Sequence, residues 1–386
     1  MKLKVGQVSE SFHSCGVLEV ILGIISHLLG TDISLLGPQC PRTKDLPGIF
    51  IPSVKLPGKR EYYCTFPMAI VFLGRIKKFL ASVDIAVLHS LSFLTLFTML
   101  VARLMRNRPK IIYHAHTQND EYIRSMLGWF PPLAFLATEF VNFLEKYFLC
   151  NPADLVLVPS EKMTELIQKR LNLKVRPTVW SAPFEIPENL PEAGIDFAGK
   201  PTLIYVGRLG EEKRISRLLK VFGVMYNRMP FLHLILIGGG DIAKYRKIAS
   251  KLPKGAGKEV EFLGNIPHLM VLAICKKATD ENTRAIGISD SDTEAQGLGI
   301  YEQMSVGLTV AIPCQTCWEK DILASEGGVL LTGDPEKDAD LLFKLLYDDK
   351  TRIIAGNKAK EYIAMHYSCD VKYKELAQIY ERVIQS

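Results

Sequence analysis

AIGISDSDTEAQGLGIYEQMSVGLTVAI, residues 285–312, decides the fold because it contains a strand, a loop, a helix and a second strand in succession. The apolar runs AIGIS and LTVAI have the length of buried strands, whereas LGIYEQMSVG begins a helix. Strands that alternate with helices in this way form a parallel sheet with helices on both faces. The loop SDTEAQG lies at the carboxyl end of its strand, where such sheets bind ligands.

The same alternation runs through the whole chain. Strands are predicted at 2–9, 32–37, 84–89, 110–116, 154–160, 202–207, 232–238, 260–264, 285–289 and 308–312. A stretch with four prolines and two glycines, residues 181–201, interrupts the pattern. We therefore predict an α/β protein of two doubly wound Rossmann-like domains facing a cleft. The predicted parts are a domain at 1–185, a linker at 186–200, a second domain at 201–365, and a C-terminal helix at 366–386 that packs back on the first domain.

Composition limits the class of protein. The 386 residues are 48% hydrophobic and 23% charged, which favours globular domains over disorder. A formal net charge of +6 favours anionic partners but does not predict binding of nucleic acid. The N-terminus lacks the pattern of a signal peptide, so we expect a cytoplasmic protein. The eight cysteines are expected to be reduced thiols, and Cys314 and Cys317, although they have redox spacing, have no second pair to complete a zinc site.

The longest apolar stretch, residues 85–105, approaches the length of a membrane span. It contains His89, Arg103 and four serine or threonine residues. A buried strand followed by a core helix explains it better, so no transmembrane helix is required.

Two cations follow the first strand of the second half. Arg208 comes directly after the strand, and Lys213 stands five residues later, near the start of a helix. A diphosphate would meet both cations, together with backbone N–H groups at the positive end of that helix. The run Gly238-Gly239-Gly240-Asp241 also follows a strand, but its spacing is not that of a dinucleotide fingerprint, and a tight turn explains it better.

The acids of residues 290–302 allow two interpretations. Asp290 and Asp292, two positions apart, could share a divalent metal in a metal-dependent transferase or nuclease. Alternatively, Glu294 in the loop and Glu302 one turn inside the helix could bind a ligand rich in hydroxyls. Gly297 and Gly299 leave the backbone bare at the N-terminus of the helix, where N–H groups can approach a sugar or phosphate.

Three motifs together resemble one family. GRLGEEK at 207–213, FLGNIP at 262–267 and TEAQGLGIYEQMSVGLTV at 293–310 are similar to the donor domain of the retaining, GT-B-fold glycosyltransferases of family 4 (group 1). The resemblance implies that the second domain binds a nucleotide sugar and the first an acceptor. In this interpretation the nucleotide sugar is a substrate, no cofactor is needed, and no metal is required. A nucleotide-sugar epimerase or binding protein on the same fold is the alternative without transfer.

The resemblance also implies roles for single residues. Arg208 and Lys213 would neutralise the departing diphosphate, Glu294 would accept hydrogen bonds from sugar hydroxyls, and Glu302 would hold the ribose. Gly297 and Leu298 would contribute to the donor site. Ser14-Cys15-Gly16-Val17 matches the family's glycine loop, in which Gly16 approaches the diphosphate. His116 matches the histidine that closes over the sugar, and His114 would share its side of an extended strand.

The subfamily follows from TEAQGL and HTQNDEYIRS, which are closest to the glycolipid synthases of glucosyl-diacylglycerol type. This resemblance implies transfer of a hexose, with retention of configuration, to a membrane lipid or lipid-linked glycan. UDP-glucose is the first candidate for the donor and GDP-mannose is the second. The aromatic stretch 122–149 and the basic segments 75–79 and 103–110 suit an anionic membrane surface, to which the protein would bind peripherally.

The chain departs from the family pattern at two places. Val179 to Pro183 replaces a Pro-Asn-Gly or Pro-Thr-Gly turn, and residues 280–284 interrupt a usually compact unit. Neither departure affects the donor residues. We expect front-face attack, in which the leaving phosphate helps to take the acceptor proton, because no second carboxylate is placed as a nucleophile.

Overall fold

The computed structural model describes residues 2–10, 16–28, 30–55, 63–120, 123, 127, 130–197, 199–280, 283–291 and 294–386. The chain divides into two compact units. The first contains Met1–Ala182 and Cys369–Ser386, and the second contains Pro183–Ser368.

The first unit is built on a parallel sheet. Among the described residues it has seven strands in the order β3-β2-β1-β6-β7-β8-β9, and each neighbouring pair is parallel. The strands are β1 (Leu3–Val8), β2 (Thr31–Gly37), β3 (Gly48–Phe50), β6 (Ile85–His89), β7 (Lys110–His114), β8 (Leu155–Val158) and β9 (Thr178–Val179), and β4 (Val54–Lys55) and β5 (Tyr63–Cys64) form a separate antiparallel pair. Strands β1, β6 and β7 lie in the middle of the sheet. Strands β6 and β7 are almost completely buried, and β1 is buried from Val5 to Val8 but leaves Lys4 exposed.

Helices cover this sheet. They are α1 (Gly16–His27), α2 (Met68–Val71), α3 (Leu73–Ala81), α4 (Phe93–Leu104), α5 (Pro131–Leu144), which continues as a π-helix (Glu145–Cys150), and α6 (Glu161–Leu171). The apolar stretch 85–105 forms β6 and α4, as predicted, and Ser92 caps α4 by accepting a hydrogen bond from Thr95 N. No helix in the described part of the chain is both long enough and apolar enough to cross a bilayer.

The second unit repeats this design. Its sheet has six strands among the described residues, in the order β12-β11-β10-β13-β14-β15, and all neighbours are parallel. The strands are β10 (Thr202–Val206), β11 (His233–Ile237), β12 (Val260–Gly264), β13 (Ala285–Ile288), β14 (Val310–Pro313) and β15 (Gly328–Leu331). The helices are α7 (Ile215–Arg228), α8 (Ile242–Ala249), α9 (His268–Asp280), α10 (Leu298–Val306), α11 (Glu319–Ser325), α12 (Pro335–Tyr347) and α13 (Asp349–Tyr367). The fold class predicted from the sequence, two doubly wound α/β domains, is confirmed.

The predicted linker, 186–200, is part of the second unit. Its described residues, 186–197, 199 and 200, have no regular secondary structure, yet Ala193 and Phe197 are buried against Ile204 and Ile235 in the core of that unit. The boundaries lie at 182/183 and 368/369 because Phe184 packs with the second unit, where it stacks on Tyr301.

The last helix, α14 (Cys369–Gln385), belongs to the first unit. Its apolar face, which includes Tyr373 and Leu376, is buried against Val5 and Ile24. Trp180 replaces the family's turn at 179–183 and donates its indole N–H to the carbonyl of Lys372 at 2.9 Å. The departure from the family pattern therefore contributes a core residue to the contact between β9 and α14.

Candidate active site

Two loops meet at the carboxyl end of β10 and β11. Leu209 N donates to the carbonyl of Gly239 at 2.7 Å, and Gly238 adopts a φ of +142°. A Cβ on Gly238 would lie 2.0 Å from the carbonyl oxygen of Gly207, so only glycine allows this approach. The run 238–240 is therefore a tight turn that supports the Arg208 loop, in agreement with the interpretation preferred from its spacing.

Arg208 precedes a short 3₁₀ turn, Glu211–Lys213, and Lys213 is the last residue of that turn, just before α7. Arg208 Nη2 donates to Glu212 Oε1 at 2.8 Å, and Lys213, which is buried, donates to Glu294 Oε1 at 2.5 Å. Tyr205, on β10, donates a hydrogen bond from its hydroxyl group to the carbonyl oxygen of Arg208, with an O–O distance of 2.9 Å. Burial raises the pKa of Tyr205 far above its ordinary value, and the nearby carboxylates of Glu294 and Glu212 raise it further, so Tyr205 serves as a neutral donor.

Glu294 reaches Lys213 because β13 is the direct neighbour of β10 in the sheet. The loop after β13 then turns into α10 at Gly297, whose φ is +69°. Trp318 donates its indole N–H to the carbonyl of Gly297 at 2.9 Å and leaves no room for a Cβ there. At Gly299 a Cβ would lie 2.6 Å from the carbonyl oxygen of Val206. The N-terminus of α10, which begins at Leu298, therefore lies against the end of β10.

Glu302 lies on the second turn of α10. Its carboxylate is mostly buried, and Oε1 is 2.9 Å from Nε2 of the exposed His268 at the start of α9. The structure thus brings Arg208, Lys213 and Glu294 together around Tyr205, and it gives Glu302 a separate contact with α9. Cations beside carboxylates at the ends of parallel strands can bind a ligand that carries both phosphates and hydroxyls.

Asp290 has a different environment from the two glutamates. It is buried and accepts a hydrogen bond from Arg217 of α7, which also binds the buried Asp338. Burial raises the pKa of Asp290, while Arg217 opposes this shift. Asp290 is therefore a counter-ion of Arg217, a role that lends no support to its alternative interpretation as a metal ligand; Asp292, the other acid of that hypothesis, lies outside the described residues.

In the first unit, His116 follows the end of β7 and belongs to a chain of hydrogen bonds. His116 Nε2 is 2.8 Å from His89 Nδ1, and His89 Nε2 is 2.6 Å from Gln7 Oε1. A carbonyl oxygen only accepts, so His89 carries its proton on Nε2 and accepts from His116 Nε2 at Nδ1. His114 lies against His116, with ring centroids 3.8 Å apart.

All three histidines are neutral at physiological pH. Burial is the main cause in each case: it lowers the pKa of His116 to about 3 and lowers the pKa values of His89 and His114 well below the ordinary range. A neutral His116 can donate or accept one hydrogen bond per nitrogen but does not supply a positive charge.

Some predicted features lie outside the described residues, namely Ser14 and Cys15 of the glycine loop and Trp129 of the aromatic stretch. Gly16 is described as the first residue of α1. Sequence reasoning missed the partners of the predicted residues: Gln7, His89, Glu212, His268 and Trp318. For His89 a signal was present, because it ends the predicted strand that immediately precedes the one carrying His114 in the sequence.

Two family models match the chain. The model "Glycosyltransferase Family 4" matches residues 21–184, and the model "Glycosyl transferases group 1" matches residues 188–362. Together they cover most of both units.

Two individual proteins that are similar in sequence to this chain are also named as transferases. Sulfoquinovosyl transferase SQD2 of Arabidopsis thaliana is 27% identical over 330 residues, which are 79% of this chain and 59% of the plant protein. D-inositol 3-phosphate glycosyltransferase of Corynebacterium glutamicum is 28% identical over 205 residues, 50% of this chain and 46% of the relative. The chain thus spans 59% and 46% of the lengths of these two relatives.

A solved structure has the same fold over the whole chain. HepE of Anabaena, in complex with UDP and glucose, superposes with a TM-score of 0.71 at 15% identity, over 98% of this chain and 99% of HepE. The chain therefore belongs to the group 1 glycosyltransferases, with a family 4 N-terminal domain and the GT-B fold.

Proposed function

We propose that this glycosyltransferase moves a hexose from a nucleotide diphosphate sugar, with UDP-glucose as the first candidate, to a lipid or lipid-linked glycan at an anionic membrane surface, with retention of configuration. The observation that carries the proposal is the cluster of Arg208, Lys213 and Glu294 at the ends of β10 and β13. The cytoplasmic face of the membrane is the proposed place of action.

The donor chemistry follows from the charges of this cluster. Arg208 and Lys213 supply the two cations that a departing diphosphate needs, and a preformed pair of cations stabilises that charge without reorganisation. Lys213 is held in place by Glu294, whose carboxylate can also accept hydrogen bonds from sugar hydroxyls. We assign the ribose to Glu302 and contacts with the donor to backbone N–H groups at Gly297 and Leu298. The name of HepE's complex, with UDP and glucose, supports UDP-glucose as the first donor to test.

We propose that transfer needs neither a metal nor another cofactor, because two side-chain cations can neutralise the diphosphate. Retention would follow from front-face attack, in which the leaving phosphate helps to take the acceptor proton. We assign to the neutral His116 a hydrogen bond to the donor sugar, and to Gly16 an approach to the diphosphate.

The function is tested with a panel of donors and acceptors. We expect UDP-glucose to raise the thermal unfolding temperature and to support transfer to a lipid extract, with undiminished rate in a chelator. The names of the relatives add a sulfoquinovosyl nucleotide to the donors and D-inositol 3-phosphate to the acceptors. Loss of activity in the chelator would favour a metal-dependent transferase, and conversion of the donor to an epimer without acceptor would favour an epimerase.

The proposed membrane surface rests on the exposed face of α5 and the π-helix that follows it. Large apolar side chains recur along this segment at helical spacing and remain exposed: Leu133, Leu136, Phe140, Phe143 and Tyr147. The side chain of Phe140, for example, is 62% exposed, so it is available for contact with a surface. An apolar stripe on a surface helix of a soluble unit is typical of a segment that lies in the membrane interface.

Neighbouring helices extend this face and add positive charge. The π-helix packs against α4, and α4 packs against α3. Both neighbours also expose apolar side chains, including Leu73 and Leu104, and α3 exposes the cations Arg75, Lys77 and Lys78. Basic residues beside an apolar face favour anionic lipids, since each cation near the surface contributes about 1 kcal/mol of attraction.

We expect the double variant Phe140→Ser/Phe143→Ser to bind anionic vesicles at least about 10-fold more weakly than the unaltered protein, because two phenyl groups no longer enter the interface. Co-sedimentation with phosphatidylglycerol vesicles measures the effect. Phe231→Ser, which alters an exposed phenylalanine of the second unit, is the matched control and should bind normally. Equal binding by both variants would contradict the assignment of this face.

A further inference from the structure

Three histidines of the first unit bring their ring nitrogens to one place. His89 ends β6, His114 ends the neighbouring strand β7 directly opposite it, and His116 follows two residues later. One nitrogen from each residue can be chosen so that all three lie within 4.8 Å of one another. Such a cluster comes from the parallel register, because paired strand ends present their side chains at the same edge of the sheet.

Hydrogen bonding leaves this cluster incomplete. His114 is 2% exposed, yet its Nε2 has no hydrogen-bond partner among the residues that the structure describes. A buried polar atom without a partner is costly, and native proteins rarely keep one without a bound ion, a water or a functional reason. The nitrogen of His114 therefore needs a ligand that the surrounding side chains do not provide.

The surroundings of His89 are those of a metal-binding histidine. Its Nε2–H donates to Gln7 Oε1 at 2.6 Å, which orients the ring and directs the lone pair of Nδ1 towards His116. Ligating histidines in metal sites are usually held by such a bond from their other nitrogen to an oxygen. Both Gln7 and His89 are buried, so this orientation is fixed by packing as well.

We propose that His89, His114 and His116 form a binding site for a divalent transition metal with a preference for nitrogen ligands, of which Zn²⁺ is the first candidate. Three imidazoles leave the fourth tetrahedral position open to water. Zinc–nitrogen bonds of about 2.0–2.1 Å place the nitrogens roughly 3.4 Å apart, which small ring rotations can reach from the observed cluster. His116 moves its proton from Nε2 to Nδ1 so that Nε2 offers a lone pair, and no net proton is released.

Metal binding has a consequence for transfer that rests on the proposed function. His116 is the only one of the three that is more than marginally exposed, so metal enters past it and occupies its Nε2. Because Nε2 of His116 already donates to His89, the hydrogen bond that we assign to the donor sugar is accepted by Nδ1. The proton that moves to Nδ1 on metal binding removes this acceptor. Zn²⁺ is therefore an inhibitor of the transferase and not its cofactor.

Binding is tested on the full chain, stripped of metal with a chelator and kept reduced. In competition with a chromophoric zinc chelator, we expect one Zn²⁺ to bind to this site, and His114→Phe to weaken it at least about 100-fold. His366→Phe is the matched control, because His366 is exposed and also packs on a tyrosine ring. This variant should bind Zn²⁺ with the affinity of the unaltered protein. Co²⁺ bound at the site should give the visible bands of tetrahedral nitrogen ligation, without the near-ultraviolet band of thiolate ligands.

Further variants separate a lost ligand from a lost fold. His116→Leu alters a half-buried position and should also abolish binding, while Gln7→Met, which removes only the orienting bond, should weaken it by about 10–100-fold. Absence of a one-to-one site in the unaltered protein, equal affinity in all variants, or a thiolate band would overturn the proposal. Zn²⁺ binding without inhibition of transfer would support the metal site and contradict the role proposed for His116, so the two failures are distinguishable.

Discussion

Lys213→Met is expected to lower kcat for transfer from the nucleotide sugar by roughly 10²–10³-fold, with a smaller change in KM. The ammonium group of Lys213 is fixed beside the end of β10 by Glu294, so its charge is already in position when the bond to the diphosphate breaks. A charge that acts mainly on the departing group stabilises the transition state more than bound substrate, and its loss therefore appears in kcat. Methionine keeps most of the unbranched side chain and removes the ammonium group, with its charge and its hydrogen-bond donors.

Lys220→Met is the control for this variant. Lys220 is exposed on α7, seven residues after Lys213. The Lys220→Met variant should therefore transfer the sugar with the kcat of the unaltered protein. Unchanged kcat in Lys213→Met would contradict the assignment of the diphosphate to this end of the sheet.

Stability must be measured together with activity, because Lys213 and Glu294 are both mostly buried. Removal of one charge leaves the other without its partner, which destabilises the fold independently of any role in transfer. The double variant Lys213→Met/Glu294→Gln removes both charges and should regain much of the thermal stability that Lys213→Met loses, while it remains inactive. Recovery of activity in the double variant would indicate that the single variant failed only through misfolding.

The sequence predicted the strands that carry the donor residues because buried parallel strands are continuous apolar runs, which local patterns reveal. It also predicted that Arg208, Lys213 and Glu294 follow such strands. It did not reveal that Lys213 and Glu294 bind each other. That contact depends on β10 and β13 being neighbours, although β11 and β12 lie between them in the sequence, and strand order is a property of the complete sheet.

Asp290 and Glu302 show why acids that are close in sequence have separate roles. Asp290 points towards α7, where Arg217 binds it, whereas Glu302 on α10 approaches His268 of α9. The partners lie 73 and 34 residues away, so no local pattern identifies them. The burial of Phe197 in the predicted linker is not visible in the sequence for a similar reason, since proline and glycine content predicts irregular backbone but does not tell whether a side chain is buried.

The network around Arg217 gives the largest expected effect on stability. Arg217 binds Asp290 and Asp338, whose carboxylates are almost completely buried, and Asp338 also accepts hydrogen bonds from the backbone N–H groups of Thr332 and Gly333. Arg217→Met should lower the free energy of unfolding by about 3–5 kcal/mol, because two buried carboxylates lose their shared cation. Urea denaturation at pH 7 measures this loss. Arg228→Met is the matched control on the same helix, where Arg228 binds the exposed Asp340, and its effect should be much smaller.

The loss in Arg217→Met should also depend on pH. Burial raises the pKa of Asp290 already in the unaltered protein, and without Arg217 this pKa rises further. A carboxyl whose pKa is higher in the folded than in the unfolded state binds a proton more tightly when folded, so it favours folding at low pH and opposes it as the pH rises through the folded pKa. The difference in stability between Arg217→Met and the unaltered protein should therefore be smaller at pH 5 than at pH 7. A difference that is constant or grows towards pH 5 would show that Asp290 does not depend on Arg217 for its charge.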